Sequence, residues 1–295
     1  MSYINTYRQR RSFLKRGAEN LIFEIRKIIN YHRNGRIHRT ILFYPEYPRR
    51  RGVLYKVFRS MGFNITNDPS NPHNIRIFWS TATIKEQDQV VRDWAETGGA
   101  INMNCTDVSK SRVDAIFTAI FGYSSLVDPL TYGGEMVKKS EINAAHDGVI
   151  VKGPVEPENG FVYQKLIDNS VEGGMVADLR IPVIMNTIPH VYVKYKRMKY
   201  RFGHFSRTDT RKRGVDIMKP DQVLSDDEIS RIKLYVREFG LDYCELDVLR
   251  DKATGLIYIV DVNNAPFGLR FMDRQSTEAA LSRISDAINK EILMA

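Results

Sequence analysis

The chain has 295 residues, 43% of them hydrophobic, and a formal net charge of +9. This length allows one large domain or two to three small ones, and the hydrophobic content excludes a disordered chain. The two cysteines, Cys105 and Cys244, are too few and too far apart for a disulfide framework. No signal-peptide core and no apolar stretch long enough to span a membrane appears, so we expect no transmembrane segment and a reducing compartment, most simply the cytoplasm.

Basic residues crowd the first 51 positions and the stretch from Lys194 to Arg213. Within residues 7–34, apolar side chains recur at helical spacing, which predicts an amphipathic helix packed on the body of the protein. Its apolar residues are Phe13, Leu21, Ile22, Ile25, Ile28 and Ile29. Three roles stay open for this segment: a homodimer contact, a wall of a substrate site, or an anchor to acidic lipid.

From Thr40 onward, predicted strands alternate with predicted helices, which indicates a small, mostly parallel α/β sheet. The strands are TILFYP, FNIT, IRIFWS and AINMN, and the helices are GVLYKVFRSMG and KEQDQVVRDWAETGG. The next segment, from about Ser109 to Asn169, begins with the helix SRVDAIFTAIFG. It continues with strands at GEMVKK, GVIVKG and FVYQKLI, and we interpret it as an α+β subdomain that acts as a lid.

The last third contains the long strands ADLRIPVIM and HVYVKYKR, a capped helix, a β-hairpin and a final helix from about Thr277 to Leu293. Ser225 and Glu228 form a capping box that predicts where the capped helix begins. An apolar stripe follows the box and ends at Gly240, which predicts where that helix stops.

The hairpin spans residues 244–266, CELDVLRDKATGLIYIVDVNNAP. Because successive strand side chains point to opposite faces, a turn centred near Thr254 pairs Asp247 with Asp261 and Glu245 with Asn263. Burial of the opposite face against a core would hold this register. That face is predicted to carry Leu246, Val248, Val260 and Val262.

The acidic face of the hairpin is expected to have nothing basic to neutralise it, since no lysine or arginine of the hairpin lies there. Carboxylates opposite each other on a sheet repel unless a metal or a base intervenes. Oxygen ligands from two carboxylates and an amide suit Mg²⁺, which usually completes its shell with water and substrate phosphates. A solvated amphipathic hairpin is the alternative.

Common nucleotide and nucleophile motifs are missing. No Walker A loop, no G-x-G-x-x-G after a strand and no G-x-S-x-G elbow occurs in the sequence. The six histidines show no paired spacing of the kind that binds zinc. If the hairpin binds Mg²⁺ with phosphates, the chain must hold the nucleotide in another way.

The run ELDVLRD followed, after a turn, by YIVDVNNAP resembles the metal-binding segment of the ATP-grasp superfamily. By that resemblance Asp247, Asp261 and Asn263 would hold two Mg²⁺ ions between the phosphates of ATP. The resemblance covers roughly residues 36–290 in domain order and implies an α/β (α+β) ATP-grasp fold. The implied parts are a basic helical segment (1–35), an α/β pre-ATP-grasp domain (36–108), a lid subdomain (109–168), and a core with an antiparallel sheet and the metal hairpin (169–295).

The same resemblance implies a set of ATP contacts. Lys110, in DVSKSRVDAIF, is similar to the first phosphate-binding lysine of the family, and Lys139, with Lys138 beside it, is similar to the second. A lysine supplies a point charge on a flexible stem for such phosphates. The segment FVYQKLIDN resembles the hinge strand that receives adenine and ribose. Its contact residues would be Gln164, Lys165, Leu166 and Asp168.

Two basic residues of the predicted core strands are expected to be catalytic. ADLRIPVI resembles the Asp-x-Arg strand of the family, with Asp178 and Arg180 on one face. An internal ion pair between them and a phosphate or carboxylate contact by Arg180 both stay open. Lys194 is similar to a basic residue that faces the transferred phosphate.

The resemblance implies an ATP-dependent ligase that activates a carboxylate as an acyl phosphate and joins it to an amine. An ATP-grasp phosphotransferase and a non-catalytic basic module that binds an anionic polymer are the alternatives. The substrate would be a small molecule or an acidic compound, such as a carboxylated sugar, a peptide or a phosphorylated carrier. The basic stretch 195–214 suits an acidic acceptor, single-stranded nucleic acid, or simply solvent.

Overall fold

A computed structural model describes residues 39–202, 214–267 and 272–294, the side chain of Arg274 excepted. It also describes six helical positions of the N-terminal segment: Leu21, Glu24, Ile25, Ile28, Ile29 and His32. The strands form two three-stranded sheets and one six-stranded sheet. Within the described residues, no helix is long and apolar enough to cross a membrane.

The first sheet is parallel and follows the predicted alternation of strands and helices. Its elements are β1 (Thr40–Pro45), α1 (Val53–Ser60), β2 (Asn64–Thr66), β3 (Ile75–Trp79) and α2 (Gln89–Glu96), in the strand order β2-β1-β3. The predicted strand at AINMN is wrong, since only an isolated bridge joins Ile101 to Ile77. Asn102 has a positive φ of 61° there, and its side-chain oxygen accepts bonds from the backbone of Asp242 and Tyr243.

The second sheet is formed by the segment predicted to act as a lid, and the three strands predicted there are confirmed. A helix, α3 (Lys110–Phe121), precedes β4 (Glu135–Ser140), β5 (Val149–Lys152) and β6 (Phe161–Lys165). The strands are antiparallel in the order β5-β4-β6. Val113 and Phe117 of α3 are fully buried in the core of the third sheet, so the helix links the lid to the rest of the protein.

The third sheet is antiparallel and carries the hairpin at one edge. Its strands are β7 (Ser170–Val171), β8 (Met175–Ile184), β9 (Val191–Arg197), β10 (Val215–Met218), β11 (Tyr243–Arg250) and β12 (Ile257–Asn263). They run in the order β10-β9-β8-β11-β12, with β7 beside β8. The helices of this part are α4 (Asp226–Glu238), which begins at the predicted capping box of Ser225 and Glu228, and α5 (Arg274–Ile288).

The hairpin register is confirmed where it concerns the acidic face: Asp247 pairs with Asp261, and Glu245 pairs with Asn263. Beyond Asp247 the register shifts by one residue, because a β-bulge places Ile259, not Val260, opposite Val248. Ile259 is fully buried, whereas Val260 is only partly buried. Val260 still packs against the core, as predicted, but Ile259 takes its place opposite Val248, because an inserted residue is not visible in a regular alternation.

The prediction that the N-terminal helix packs on the body is not met at the positions that the structure describes. Leu21, Ile25, Ile28 and Ile29 are helical but 45% to 62% exposed. Glu24 forms an ion pair with Arg59 of α1 at 2.8 Å. Phe13 and Ile22 lie outside the described residues.

Candidate active site

Strand pairing brings the polar residues of the third sheet together on one face. Arg180 of β8 lies opposite Asp247 of β11 and opposite Tyr192 of β9. Asp261 of β12 lies on the far side of Asp247. Because residues two apart on a strand share a face, Glu245 and Asn263 form the next row of this charged face.

The expectation that nothing basic neutralises the hairpin is wrong. The guanidinium of Arg180 donates from Nε to Glu245 Oε2 at 2.7 Å and from Nη1 to Asp247 Oδ2 at 2.9 Å. Glu245 has no exposed surface, so its charge is balanced inside the protein. The sequence of the hairpin cannot show this partner, because Arg180 comes from β8 and meets β11 only through long-range pairing.

Two lysines complete the neutralisation from different elements. Lys194 of β9 donates from Nζ to Asp247 Oδ1 at 2.8 Å. Lys110, the first residue of α3, donates from Nζ to Asp261 Oδ1 at 2.6 Å. Ser109 caps this helix by accepting from Arg112 N, so the local sequence determines where α3 begins and places Lys110 at its first turn.

Burial and neighbouring charges have opposite effects on the pKa values of Asp247 and Arg180. Burial alone would raise the pKa of the Asp247 carboxyl, but Arg180 and Lys194 hold that pKa well below its ordinary value. Burial would lower the pKa of Arg180, and the carboxylates of Asp247 and Glu245 raise it instead. Both groups are therefore charged at neutral pH.

The two candidate lysines of β4 lie on opposite sides of the lid sheet. Lys139 donates from Nζ to the carbonyl oxygen of Val260, the residue at the bulge, at 3.1 Å. Burial lowers the pKa of Lys139 to about 8, against the opposing effect of Asp261. Lys138 instead pairs with Glu158 and lies 4.3 Å from the centre of the Phe161 ring, away from the charged face.

The hinge residues connect the lid to the third sheet. Gln164 is buried and donates to Ser125 Oγ at 3.0 Å, and the backbone N–H of Lys165 donates to Ser125 O at 2.8 Å. Leu166 is half-buried beside them. Asp168 is exposed, and its carbonyl oxygen accepts from the backbone N–H of Lys252 at 2.7 Å. The Lys165 N–H is thus already used, which leaves other backbone groups of the hinge to contact a base.

The ion pair considered between Asp178 and Arg180 does not form. Asp178 pairs with Lys196 of β9 at 2.7 Å and also accepts from Asn169 Nδ2 at 2.8 Å. Arg180 points instead to β11, as described above. Lys196 and Arg201 belong to the basic stretch 195–214: Lys196 Nζ donates to Arg201 O at 2.9 Å, and Arg201 Nη2 donates to the carbonyl oxygen of Ile167 in the hinge at 2.7 Å. Residues 203–213 of that stretch lie outside the described residues.

The contacts that close the lid loop over the charged face were not predicted. Asn143 donates from its backbone to Thr83 Oγ1 at 2.8 Å and from Nδ2 to Val262 O at 3.3 Å. Glu141 accepts from the backbone N–H of Ser111, in the first turn of α3, at 3.0 Å. These partners are far apart in sequence, and no local pattern marks them.

The donor set of the charged face fits Mg²⁺ in its chemistry. Asp247 and Asp261 supply carboxylate oxygens. Asn263 Nδ2 donates to Glu245 O and Asp247 Oδ2, and no hydrogen bond from the described residues reaches the side-chain oxygen of Asn263, the atom that would bind a cation. In the arrangement that the structure describes, no three His, Cys, Asp or Glu side chains converge as a set able to hold a metal ion. The carboxylates hold lysine and arginine instead, so a metal would have to exchange with these cations.

Several solved structures superimpose on this chain. The ATP-grasp ligase PsnB complexed with its minimal precursor has a TM-score of 0.52 at 14% sequence identity, covering 86% of this chain and 99% of PsnB. The same ligase with minimal precursor, Mg and ADP has a TM-score of 0.51 at 12% identity, covering 85% of this chain and 96% of the ligase. D-alanine-D-alanine ligase from Bacillus anthracis, complexed with ATP, has a TM-score of 0.52 at 12% identity, covering 86% of this chain and 96% of that ligase.

These similarities extend over most of both chains and concern the fold. No protein-family model and no curated protein sequence matches the chain.

Proposed function

Because the chain has the ATP-grasp fold, we propose that it is an ATP-dependent carboxylate-amine ligase. The observation that carries the proposal is the charged face of the third sheet. There the candidate metal ligands Asp247 and Asp261 meet cations from β8, β9 and α3, and a lysine of the lid lies within reach. Phosphoryl transfer needs this combination of metal ligands and phosphate-binding cations.

The candidate metal ligands are Asp247, Asp261 and Asn263. When bound, Mg²⁺ would neutralise charge on the phosphates and help to align them for attack. The complexes of PsnB with Mg and ADP, and of D-alanine-D-alanine ligase with ATP, support ATP and Mg²⁺ as the cofactors here.

The cations of the site would change partners when the nucleotide binds. Lys110 and Lys139 would leave Asp261 and the Val260 carbonyl for the phosphates, as the resemblance of their positions implies. Arg180 keeps the buried Glu245 as a partner through Nε, so its Nη1 can turn to a substrate oxygen without leaving the guanidinium unpaired. Lys194, released from Asp247, would face the transferred phosphoryl group.

The proposed chemistry has two steps. A substrate carboxylate oxygen attacks the γ-phosphorus of ATP, which gives an acyl phosphate and releases ADP. An amine nitrogen then attacks the acyl carbon, and inorganic phosphate leaves as the amide forms. Arg180 and Lys194 bind and orient the charged oxygens, while the lid loop around Asn143 excludes water that would hydrolyse the acyl phosphate.

Adenine and ribose would lie against the hinge, next to Lys165, Leu166 and Asp168. Gln164 supports this segment through its bond to Ser125 rather than facing the solvent. Lys138 pairs with Glu158 on the outer side of the lid, so we give the second phosphate contact to Lys139.

The experiment is a product analysis with purified protein, ATP, Mg²⁺ and a matrix of carboxylates and amines. The ligase requires ADP and inorganic phosphate to form only when both substrates are present, together with an amide product. The variant Asp261→Ala with Asn263→Ala should form none of them. A stable phosphorylated acceptor would instead establish a phosphotransferase, and nucleotide affinity unchanged in the variant would leave only a binding module.

A further inference from the structure

Three consecutive arginines, Arg49, Arg50 and Arg51, form a tight turn between β1 and α1. The turn is closed by a hydrogen bond from Gly52 N to Arg49 O at 2.7 Å, and all three side chains are exposed. A Cβ atom at position 52 would lie 3.0 Å from Arg49 O, which explains why glycine follows the arginines. We call these residues the arginine turn.

The arginine turn borders the end of the metal hairpin. A Cβ at Gly52 would lie 3.8 Å from Pro266 O, and the Arg49 guanidinium lies 4.2 Å from the centre of the Phe267 ring. Pro266 comes three residues after the candidate metal ligand Asn263, a distance of at most about 10 Å in an extended chain. The hydrogen bond from Asn264 Nδ2 to Ser80 O, at 2.9 Å, joins the end of the hairpin to the residue that follows β3, in the same sheet as β1.

The topology of the first sheet also favours a ligand at this edge. In the order β2-β1-β3, the chain leaves β1 toward β2 on one side, and β3 lies on the other. The carboxyl ends of β1 and β3 therefore flank a switch point, where open α/β sheets bind ligands. The arginine turn follows β1 at this edge.

The charge of the arginine turn is not balanced within the described residues. No carboxylate among them forms an ion pair with Arg49, Arg50 or Arg51, in contrast to Arg180, Lys194 and Lys110. The first turn of α1 contains no acidic residue, and no side chain caps it. The positive end of the helix therefore adds to the charge of the three guanidinium groups.

We propose that the arginine turn binds acidic side chains of an extended peptide substrate, outside the reacting centre. This inference rests on the proposed function, because a ligase needs its carboxylate substrate held beside the metal hairpin. Guanidinium groups bind carboxylates with two parallel hydrogen bonds. Side chains of consecutive residues diverge, so three of them suit several carboxylates along a chain better than one small acid.

Two exposed aromatic residues support a peptide as the partner. Tyr47 and Phe267 are 47% and 41% exposed beside the arginine turn. Aromatic residues and arginine are enriched where proteins bind other chains. Nucleic acid would match the charge as well, but it carries no carboxylate to activate, so the peptide agrees with the proposed reaction.

The test measures fluorescence anisotropy of a fluorescein-labelled hexaglutamate peptide with the full chain, in the presence of Mg²⁺ and ADP. Labelled hexaglutamine is the neutral control. The test variant is Arg49→Gln, Arg50→Gln and Arg51→Gln together. The matched control removes the same charge at exposed sites elsewhere: Lys219→Gln, Arg237→Gln and Lys290→Gln.

We expect the test variant to bind hexaglutamate at least about tenfold more weakly, which corresponds to about 1.4 kcal/mol. The control variant should stay within about twofold of the wild type, because screened charges far from the site contribute little. Equal loss in both variants, or no hexaglutamate binding by the wild type, overturns the proposal. The proposal is also overturned, in favour of nucleic acid, if the wild type binds a labelled oligonucleotide but not hexaglutamate and the test variant no longer binds the oligonucleotide.

The affinity for Mg²⁺ with ADP separates this inference from the proposed function. It should be the same in the wild type, the test variant and the control variant. If the wild type does not bind Mg²⁺ and ADP at all, the proposed function fails whatever hexaglutamate does. If it binds them normally and only the hexaglutamate result disagrees, the arginine turn alone is wrong.

Discussion

The two faces of the six-stranded sheet carry opposite chemistry on the same strands. On β11, Leu246 and Val248 have no exposed surface and lie in the core under α3 and α4. Between and beside them, Glu245 and Asp247 form ion pairs with Arg180 on the other face. Since side chains alternate along a strand, each strand serves the core and the charged face at once.

The two faces differ in how much they stabilise the fold. An apolar core stabilises the fold directly, at roughly 25 cal/mol for each Å² buried. A buried ion pair gains little over apolar residues of the same shape, because desolvation opposes its attraction. The charged face therefore agrees with a functional role better than with a purely stabilising one.

The largest effect is expected from Arg180→Leu. This change leaves Glu245, which has no exposed surface, and Asp247 without their shared cation, and should destabilise the protein by about 3–5 kcal/mol. Urea unfolding followed by circular dichroism measures it. Adding Glu245→Leu should recover part of the stability, because the buried charge is then gone; a single variant as stable as the wild type would contradict this account of the charged face.

On the apolar face, Leu246→Ala should cost about 3 kcal/mol of unfolding free energy through lost burial and the cavity left behind. The affinity for Mg²⁺ with ADP should stay within about twofold of the wild type in conditions where the variant is folded, since the substituted side chain points away from the charged face. Urea unfolding curves measure the change in stability, and calorimetric titration measures the affinity for Mg²⁺ with ADP. A large loss of nucleotide affinity would show that the two faces are not separable.

A third prediction concerns His190, which directly precedes β9 and whose ring centre lies 4.3 Å from that of Tyr192. His190 has no exposed surface, neither ring nitrogen has a hydrogen-bond partner among the described residues, and burial with Arg283 nearby lowers its pKa to about 3. The unfolded chain takes up the proton near pH 6.5 and the folded chain does not, so stability falls as pH falls through 6.5. This group should cost about 2 kcal/mol at pH 5 relative to pH 8.

The measurement for His190 is the urea midpoint between pH 5 and pH 8. His190→Phe should remove the pH dependence that this residue causes, whereas His73→Gln on the partly exposed loop before β3 should not. The prediction is contradicted if the urea midpoint depends on pH equally in the wild type and in the His190→Phe variant.

The smallest effect is expected from Lys110→Gln, and its sign is informative. Removing the lysine frees Asp261 for a cation, so the affinity for Mg²⁺ alone should rise. The affinity for Mg²⁺ with ADP should fall by about tenfold, because a phosphate partner is lost. Lys138→Gln, which removes an equal charge on the outer side of the lid, should change neither affinity. Calorimetric titrations with Mg²⁺ alone and with Mg²⁺ and ADP measure both affinities in the three proteins.

Local patterns predicted most of the fold. Alternation placed Asp247 opposite Asp261, the capping box of Ser225 and Glu228 located α4, and alternating strands and helices predicted the parallel sheet around β1. These signals act over a few residues, so a single sequence contains them.

What could not be predicted depends on pairing between distant segments. Arg180 meets Glu245 only because β8 lies beside β11, and Lys110 meets Asp261 across the boundary between α3 and the hairpin. The bulge at Val260 is a one-residue irregularity with no distinct residue type to mark it. The roles of the candidate site residues stay predictions until binding is measured.

The most direct test of the central claim is calorimetric titration with a non-hydrolysable ATP analogue, with and without Mg²⁺. The wild type is compared with Asp261→Ala plus Asn263→Ala. We predict tight binding that depends on Mg²⁺ in the wild type, and a loss of at least about tenfold, with no remaining Mg²⁺ dependence, in the variant. Equal affinity in both proteins would contradict the assignment of the charged face as the site of ATP and Mg²⁺.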